Sequence, residues 1–213
     1  MPHESVVYEQ PDPPTAKGRR AVDAWRRAGR EAFTELGFLK TKISDIATIA
    51  GMASASFYNY YDTKEDLLLD LAAEYNSEVL KRIRRSVRTG DPQQNIGTTV
   101  ENFWRLYTEN QAVMHGVFQM SMIDDRFARH WYDIRERAMA GLKAEIRRAK
   151  KVSPSPTLDV DAGAIALSSM IEHFCYLWST DHQRFVEGKS DDEAITTISD
   201  VWYRALYGVT QPS

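Results

Sequence analysis

Apolar residues recur at steps of three and four along most of the chain, which is the period of an α-helix and not the alternating period of a β-strand. The pattern is clearest near the C-terminus, where it runs through Ala164, Leu167, Ile171, Phe174 and Trp178. The sequence has no alternating strand pattern and no internal repeat. It therefore predicts an all-α fold.

Start and stop signals divide this pattern into separate helices. Gly37 and Gly51 end the first two, and Thr63 is placed to cap a long helix with Glu65 and Asp66 in its first turn. Asp91 and Ser190 are predicted caps of two later helices, and Asp159 is predicted to start another. The predicted helices span residues 19–36, 43–50, 53–60, 63–88, 92–109, 112–122, 124–151, 159–185 and 190–207.

The second and third helices have the pattern of a helix-turn-helix motif. Ala47 is small where the two helices cross, and Gly51 takes the turn without steric cost. The remaining apolar positions of the pair are Ile43, Ile46, Ala50, Met52, Phe57 and Tyr60. In such motifs the second helix enters the DNA major groove. The alternative is an ordinary helical hairpin inside a bundle.

The exposed positions of the predicted recognition helix suit contacts with DNA. Ser54, Ser56, Tyr58 and Asn59 carry hydroxyl or amide groups, which reach phosphate oxygens and base edges. Lys64 begins the next helix, where its ammonium and the free N–H groups are expected to face a phosphate. The sequence therefore predicts these five residues as DNA contacts.

The charge distribution also favours a polyanion-binding N-terminal region. Nine basic and five acidic residues lie between Ala16 and Lys64, a net +4 in a chain whose net charge is −3. Lys17, Arg19 and Arg20 are a candidate arm for the adjacent minor groove, by analogy with other helix-turn-helix proteins. The alternative is a solvated charged helix face.

The segment "AFTELGFLKTKISDIATIAGMASASFYNYYDTKEDLL" resembles the DNA-binding domain of the tetracycline-repressor (TetR) family of transcriptional regulators. It has the family's order of Phe, Gly-aromatic, Thr, Ile-Ala, Ala-Gly, Tyr-x-x-aromatic and Lys-Glu. The resemblance covers about a quarter of the chain. The rest is similar only in its helical architecture and length.

The resemblance implies roles for individual residues. Thr41 is expected to cap the second helix and contact phosphate, and Tyr58 and Tyr60 are expected to pack and contact the DNA backbone. The basic Lys42 beside Thr41 is a further predicted DNA contact. Two residues depart from the family pattern. Ala53 stands where a capping serine is usual, so that cap is lost or passes to Ser54, and Ala55 stands where glycine is frequent. Base preferences of the family therefore do not transfer directly.

Three regions follow from these observations. Residues 1–18 form a proline-rich tail expected to be disordered, residues 19–70 form the three-helix DNA-binding domain, and residues 71–213 form a larger helical bundle for ligand binding and dimerisation. The two C-terminal helices, at about 159–185 and 190–207, are apolar around much of their circumference. They are therefore expected to pair with a second copy of the chain.

The family resemblance implies a ligand cavity in the helical bundle, and its aromatic and methionine content suits an apolar or amphiphilic effector. Tyr107 and His173 are the expected polar groups of this cavity. The candidate lining residues are Phe103, Trp104, Tyr107, Met114, Phe118, Met122, Trp131, Met139, Met170, His173 and Phe174. The competing interpretation is an ordinary packed core.

No motif indicates an enzyme. There is no G-x-S-x-G, P-loop or dinucleotide fingerprint, and the spacing of His115, Asp124, Asp125 and His130 matches no recognised metal site. The single cysteine, the absence of a signal peptide and the absence of a long apolar run predict a cytoplasmic protein with no membrane partner and no cofactor.

We expect a homodimeric repressor that an effector releases from a palindromic double-stranded operator. The alternative is a helical enzyme or ligand carrier.

Overall fold

The computed structural model describes residues 10–85, 88–152, 158–180 and 187–208, and within these ranges all regular secondary structure is helical. The all-α prediction is confirmed. The helices are α1 Ala16–Leu36, α2 Ile43–Ala50, α3 Ser54–Phe57, α4 Lys64–Arg85, α5 Pro92–Glu109, α6 Gln111–Ser121, α7 Asp125–Val152, α8 Val160–Thr180 and α9 Asp191–Tyr207. None of these described helices has an apolar stretch long enough to cross a membrane.

The predicted capping residues explain why the helices begin where they do. The hydroxyl of Thr63 accepts the amide N–H of Asp66, whose carboxylate accepts the amide N–H of Thr63 in return, 3.0 Å away. Asp91, Asp159 and Ser190 likewise accept amide hydrogens in the first turns of α5, α8 and α9. Every described helix end lies within three residues of its prediction. The predicted end of the eighth helix at residue 185 lies outside the described residues.

The helix α3 is shorter than predicted and has only one turn. After Phe57 the chain continues as a tight turn in which the amide of Tyr60 donates to the carbonyl of Phe57 over 2.9 Å. This bond spans three residues rather than the four of an α-helix. The predicted helix over residues 53–60 therefore combines α3 with the turn that follows it.

The described chain divides into two compact units. The first contains the chain up to Lys81 together with Asn110–Asp133, and the second contains Arg82–Glu109 and the chain from Ile134 onward. This division differs from the predicted boundary between residues 70 and 71. The difference arises because α4 continues well past residue 70 and α6 packs on the N-terminal helices.

The core of the first unit explains why α6 belongs to it. Gly116 in α6 lies so close to Phe38 and Leu68 that an added Cβ would stand 3.1 Å from a side-chain carbon of each. Val113 and Val117 of the same helix are buried in this core. Other large buried side chains of the cluster include Trp25, Phe33, Ile46, Phe57, Leu67, Leu71 and Phe127.

The second unit packs α5 against α8 and α9. The indole ring of Trp104 in α5 lies 5.5 Å from that of Trp178 and 5.9 Å from the ring of Phe174, both in α8. Tyr207 near the end of α9 donates to Glu145 of α7 over 2.8 Å, and Arg88 binds the same carboxylate. Burial opposes ionisation of Glu145, but its hydrogen bonds outweigh burial and lower its pKa.

Candidate nucleic-acid interface

The turn between α2 and α3 has the geometry that the sequence predicts. Gly51 lies in the left-handed region, with φ 64° and ψ 32°, and its N–H donates to the carbonyls of Ala47 and Thr48. The amide of Met52 also donates to Ala47, over 3.0 Å. Ala47 is buried as expected for a position where the helices cross. The two helices therefore leave the turn at a fixed angle.

The helix α3 is held in place by one aromatic side chain. Phe57 is fully buried and its ring lies 5.3 Å from that of Trp25 in α1, edge to face, and 5.3 Å from that of Tyr61. Met52 and Tyr60 are half-buried against the same core. Because α3 has a single turn, this anchor and the flanking turns determine its direction.

The opposite side of α3 is exposed. Ser54 and Asn59 are exposed, Tyr58 has 57% of its surface accessible, and Ser56 is half-buried. The hydroxyl of Ser56 donates to the carbonyl of Ala53 over 2.7 Å. Ala53 occupies the N-cap position without a side-chain bond, which confirms that the usual cap is lost. The predicted recognition residues thus form one polar surface without an acidic side chain.

Thr41 does not have the capping role that the family resemblance implied. It is 2% exposed, and its hydroxyl donates to the carbonyl of Gly37 over 2.9 Å, within reach of that of Ala32. The hydroxyl is directed toward the end of α1, because the connecting loop folds back on that helix. The N-cap of α2 is Lys42, whose amide donates to Asp45 over 2.8 Å. Lys42 itself is exposed.

The predicted minor-groove arm is helical in the structure. Lys17, Arg19 and Arg20 lie in the first turns of α1, which Thr15 caps by accepting the amide of Gly18. The guanidinium of Arg19 donates back to the carbonyl of Pro14 over 3.1 Å. Three basic residues at the positive end of a helix are unfavourable unless an anion lies nearby. All three residues remain exposed, and their contact with the minor groove stays a prediction.

A buried ion pair, which the sequence analysis did not predict, joins α1 to α4. Asp70 is fully buried, and Arg26 donates to its two oxygens over 2.7 and 2.9 Å. The hydroxyl of Tyr61, just after the recognition turn, donates to Asp70 over 2.6 Å, and Gln10 donates over 2.8 Å. The available signal was the aspartate inside the apolar run "LLLDLA".

This pair also changes the chemistry of Arg26. Burial alone would lower the pKa of its guanidinium, but the hydrogen bond and charge of Asp70, with the charge of Glu74, outweigh burial and raise it. Arg30 pairs with Glu74 over 2.7 Å and donates to Asn110 over 2.8 Å. Part of the basic N-terminal charge is therefore neutralised inside the unit.

Lys64 has a different environment from the one the sequence predicts. Its ammonium donates to the carbonyls of Phe38, Leu39 and Thr41 over 2.9, 3.1 and 2.9 Å. The same nitrogen lies 4.6 Å from the centre of the Phe38 ring. An ammonium has three N–H groups, so all of them are used by the loop between α1 and α2. Contact of Lys64 with phosphate stays a prediction.

The candidate ligand residues fall into both units. Met114, Phe118, Met122 and Trp131 belong to the first, and Phe103, Trp104, Tyr107, Met139, Met170, His173 and Phe174 belong to the second. Trp104, Tyr107 and Met114 are buried. Phe118 is 43% exposed and Met122 is 66% exposed. These two exposures do not fit an enclosed lining.

His173 is also exposed, and its ring stacks on that of Tyr176 at 5.8 Å. This position follows from the periodicity of α8, whose core-facing side contains Leu167, Ile171 and Cys175. His173 therefore does not have the interior position predicted for it.

Burial raises the pKa of the Cys175 thiol, so this cysteine is not an activated nucleophile. Among the described residues, no three potential ligands form a metal cluster.

Comparison with known proteins supports the motif that the geometry displays. Residues 26–71 match a family model described as "Bacterial regulatory proteins, tetR family". The HTH-type transcriptional regulator EthR of Mycolicibacterium smegmatis is 23% identical over 177 residues, which cover 80% of this chain and 79% of that protein. The "Fatty acid metabolism regulator protein" of Bacillus subtilis is 31% identical over 61 residues, or 29% of this chain and 31% of that protein.

Solved structures show the same fold. A transcriptional regulator from Saccharomonospora viridis, solved in complex with choline, superimposes with a TM-score of 0.73 at 20% identity. The alignment covers 89% of this chain and 96% of that one. At this identity the similarity establishes the fold alone. That fold has an N-terminal helix-turn-helix domain and a helical C-terminal domain.

Proposed function

Because this chain belongs to the TetR family of transcriptional regulators, we propose that it is a homodimeric repressor that binds a palindromic operator and leaves it when a small effector binds. Members of the family are DNA-binding proteins and not enzymes. The observation that carries the proposal is the exposed polar surface of α3, which a fully buried Phe57 holds in place.

The DNA contacts follow from the position of each group on this surface. Ser54, Tyr58 and Asn59 supply hydroxyl and amide groups for base edges and phosphates. Lys42 places an exposed ammonium at the N-terminus of α2, where helix N–H groups also favour a phosphate. Arg19 and Arg20 add positive charge from α1.

Sequencing the genomic DNA fragments that the purified protein retains tests this function, because a specific regulator enriches only a few fragments.

Dimerisation is proposed from the exposed face of α8. Ala162, Ile165, Ala166, Ser169, His173 and Tyr176 are exposed at helical spacing. None of them is acidic, and none is lysine or arginine. Ile165 is 53% exposed, and Val201 in α9 is 43% exposed. Apart from Asp161 in the first turn, which pairs with Lys143 over 2.7 Å, this face of α8 is uncharged, which fits a self-complementary two-fold interface. The two helix-turn-helix motifs of such a dimer would then reach successive major grooves, about 34–36 Å apart.

The effector proposal is supported by a buried donor in the second unit. The indole N–H groups of Trp104 in α5 and Trp202 in α9 are buried and have no hydrogen-bond partner among the described residues, and of the two only Trp104 is a candidate lining residue. Such a group costs about 1–3 kcal/mol unless something satisfies it. An effector with an apolar body and one acceptor oxygen would bind beside Trp104 and supply that partner. Fatty acid and choline are suitable probes, since they occur in the names of two compared proteins.

We expect dodecanoate or choline to raise the melting temperature of the wild type and to release it from its operator. Trp104→Phe keeps an aromatic ring but removes the donor. The rise in melting temperature on adding the probe should therefore fall to a small fraction of its wild-type value. Trp178→Phe is the matched control, because the indole N–H of Trp178 already donates to Asp191 over 3.1 Å. An equal shift in Trp104→Phe would remove this residue from the site.

A further inference from the structure

The ammonium of Lys64 occupies a small cradle of loop carbonyls. The oxygens of Phe38, Leu39 and Thr41 lie 2.9, 3.1 and 2.9 Å from its nitrogen, and the face of the Phe38 ring lies 4.6 Å away. Charge-assisted bonds of this length are stronger than neutral ones. Three carbonyl dipoles and one aromatic face thus converge on a single positive charge that comes from the start of α4.

The cradle belongs to the only connection between α1 and α2, so it determines where α2 begins. Gly37 leaves α1 with φ 74°, and the amide of Thr41 donates back to its carbonyl over 3.2 Å. Phe38 and Thr41 are buried, whereas Leu39 is 60% exposed. The loop therefore turns sharply with several carbonyls on its inner side. Without the ammonium the three oxygens would lose this shared donor, and the part-buried carbonyls of Phe38 and Thr41 would lose most by it.

We propose that Lys64 is a positioning residue that holds the loop between α1 and α2, and that it is not a phosphate ligand. Lys42, the N-cap of α2, directly follows the loop, so its exposed ammonium is the group that Lys64 places for DNA. This inference rests on the proposed DNA-binding function. It assigns phosphate contact to Lys42 and loop geometry to Lys64.

The geometry of an ammonium explains why arginine would not replace it. An ammonium directs three N–H groups from one atom to three oxygens, whereas a guanidinium is planar and directs its donors outward in a fork. Arginine is at least as good as lysine at binding phosphate. Lys64→Arg therefore separates the two roles. It preserves a phosphate contact and disrupts the carbonyl cradle.

The binding experiment compares Lys64→Arg with Lys42→Arg on the genomic duplex that the wild type retains. We expect Lys64→Arg to weaken binding by about ten-fold or more, because bonds to a charged group are lost. Lys42→Arg is the matched control and should stay within about three-fold of the wild type, since guanidinium also binds phosphate. Wild-type affinity in Lys64→Arg, with the salt dependence unchanged, would overturn the proposal.

A measurement without DNA tests the cradle directly and does not depend on the proposed function. In ¹⁵N-labelled wild type, one lysine ammonium should give a side-chain resonance protected from solvent exchange near neutral pH, and it should be absent in Lys64→Met. The absence of such a resonance would overturn the proposal even if no duplex were retained. A protected resonance that persists when the retained duplex is added supports it. Loss of that resonance together with a new coupling to phosphorus would contradict it.

Discussion

Asp70→Ala is expected to destabilise the first unit by about 3–5 kcal/mol, which is a large fraction of the about 5–15 kcal/mol by which domains are ordinarily stable. The substitution removes a fully buried carboxylate that accepts two hydrogen bonds from Arg26 and one from Tyr61. The guanidinium of Arg26, with only 18% of its side chain exposed, would lose its closest anion. Its remaining ion pairs are with Glu74 over 3.1 Å and with the exposed Asp23 over 3.9 Å.

The loss of stability in Asp70→Ala should appear as faster amide hydrogen exchange in α1 and α4 and as a lower free energy of unfolding in urea. Asp200→Ala is the matched control, because Asp200 also pairs with an arginine, Arg204, over 2.8 Å. The side chains of that pair are 47% and 58% exposed, and exposed pairs contribute about 0–1 kcal/mol. A change in Asp70→Ala no larger than that in Asp200→Ala would show that the buried pair does not hold α1 to α4.

Ile165→Asp is expected to convert the dimer to a monomer and to weaken operator binding by about a hundred-fold or more. In a two-fold interface the same residue occurs on both protomers, so one substitution buries two unpaired carboxylates. Burying a charge without a partner costs several kcal/mol, and each 1.4 kcal/mol corresponds to a ten-fold change in the dissociation constant. Operator affinity falls because a monomer contacts only one half-site.

Sedimentation velocity at micromolar concentration measures this change, and far-ultraviolet circular dichroism should show unchanged helix content because Ile165 is 53% exposed within the protomer. Val152→Asp introduces the same charge at an exposed apolar position, 73% accessible, near the end of α7. This control variant should remain a dimer. A dimeric Ile165→Asp variant, or a monomeric wild type, would place the interface elsewhere or exclude it.

Local signals in the sequence account for most of the fold. The bounds of α2 at Ile43 and Ala50 agree with prediction, because Gly51 ends the helix through its own backbone conformation. The cap at Thr63 depends only on groups three residues apart. The buried face of α8 follows from periodicity alone. In each case the physical cause lies within one or two helical turns of its effect.

Features that depend on distant parts of the chain were missed or mistaken. The carbonyls that surround Lys64 come from a loop 23–26 residues earlier, and no local pattern reveals their direction. Asp70 pairs with Arg26, which lies 44 residues earlier in the sequence. The family resemblance implies a capping role for Thr41, but the fold of the loop buries it. Tertiary contacts decided these roles.

The most direct test of the account is sequencing the genomic DNA fragments that the purified wild-type protein retains at physiological salt. We predict that a few fragments are enriched, that they share an inverted repeat, and that its half-sites are about one helical turn, or a multiple of a turn, apart. The same fragments should be lost when salt is raised several-fold, because phosphate contacts release counterions. Retention of all fragments equally, or of none, would contradict the conclusion that this chain is a sequence-specific DNA-binding regulator.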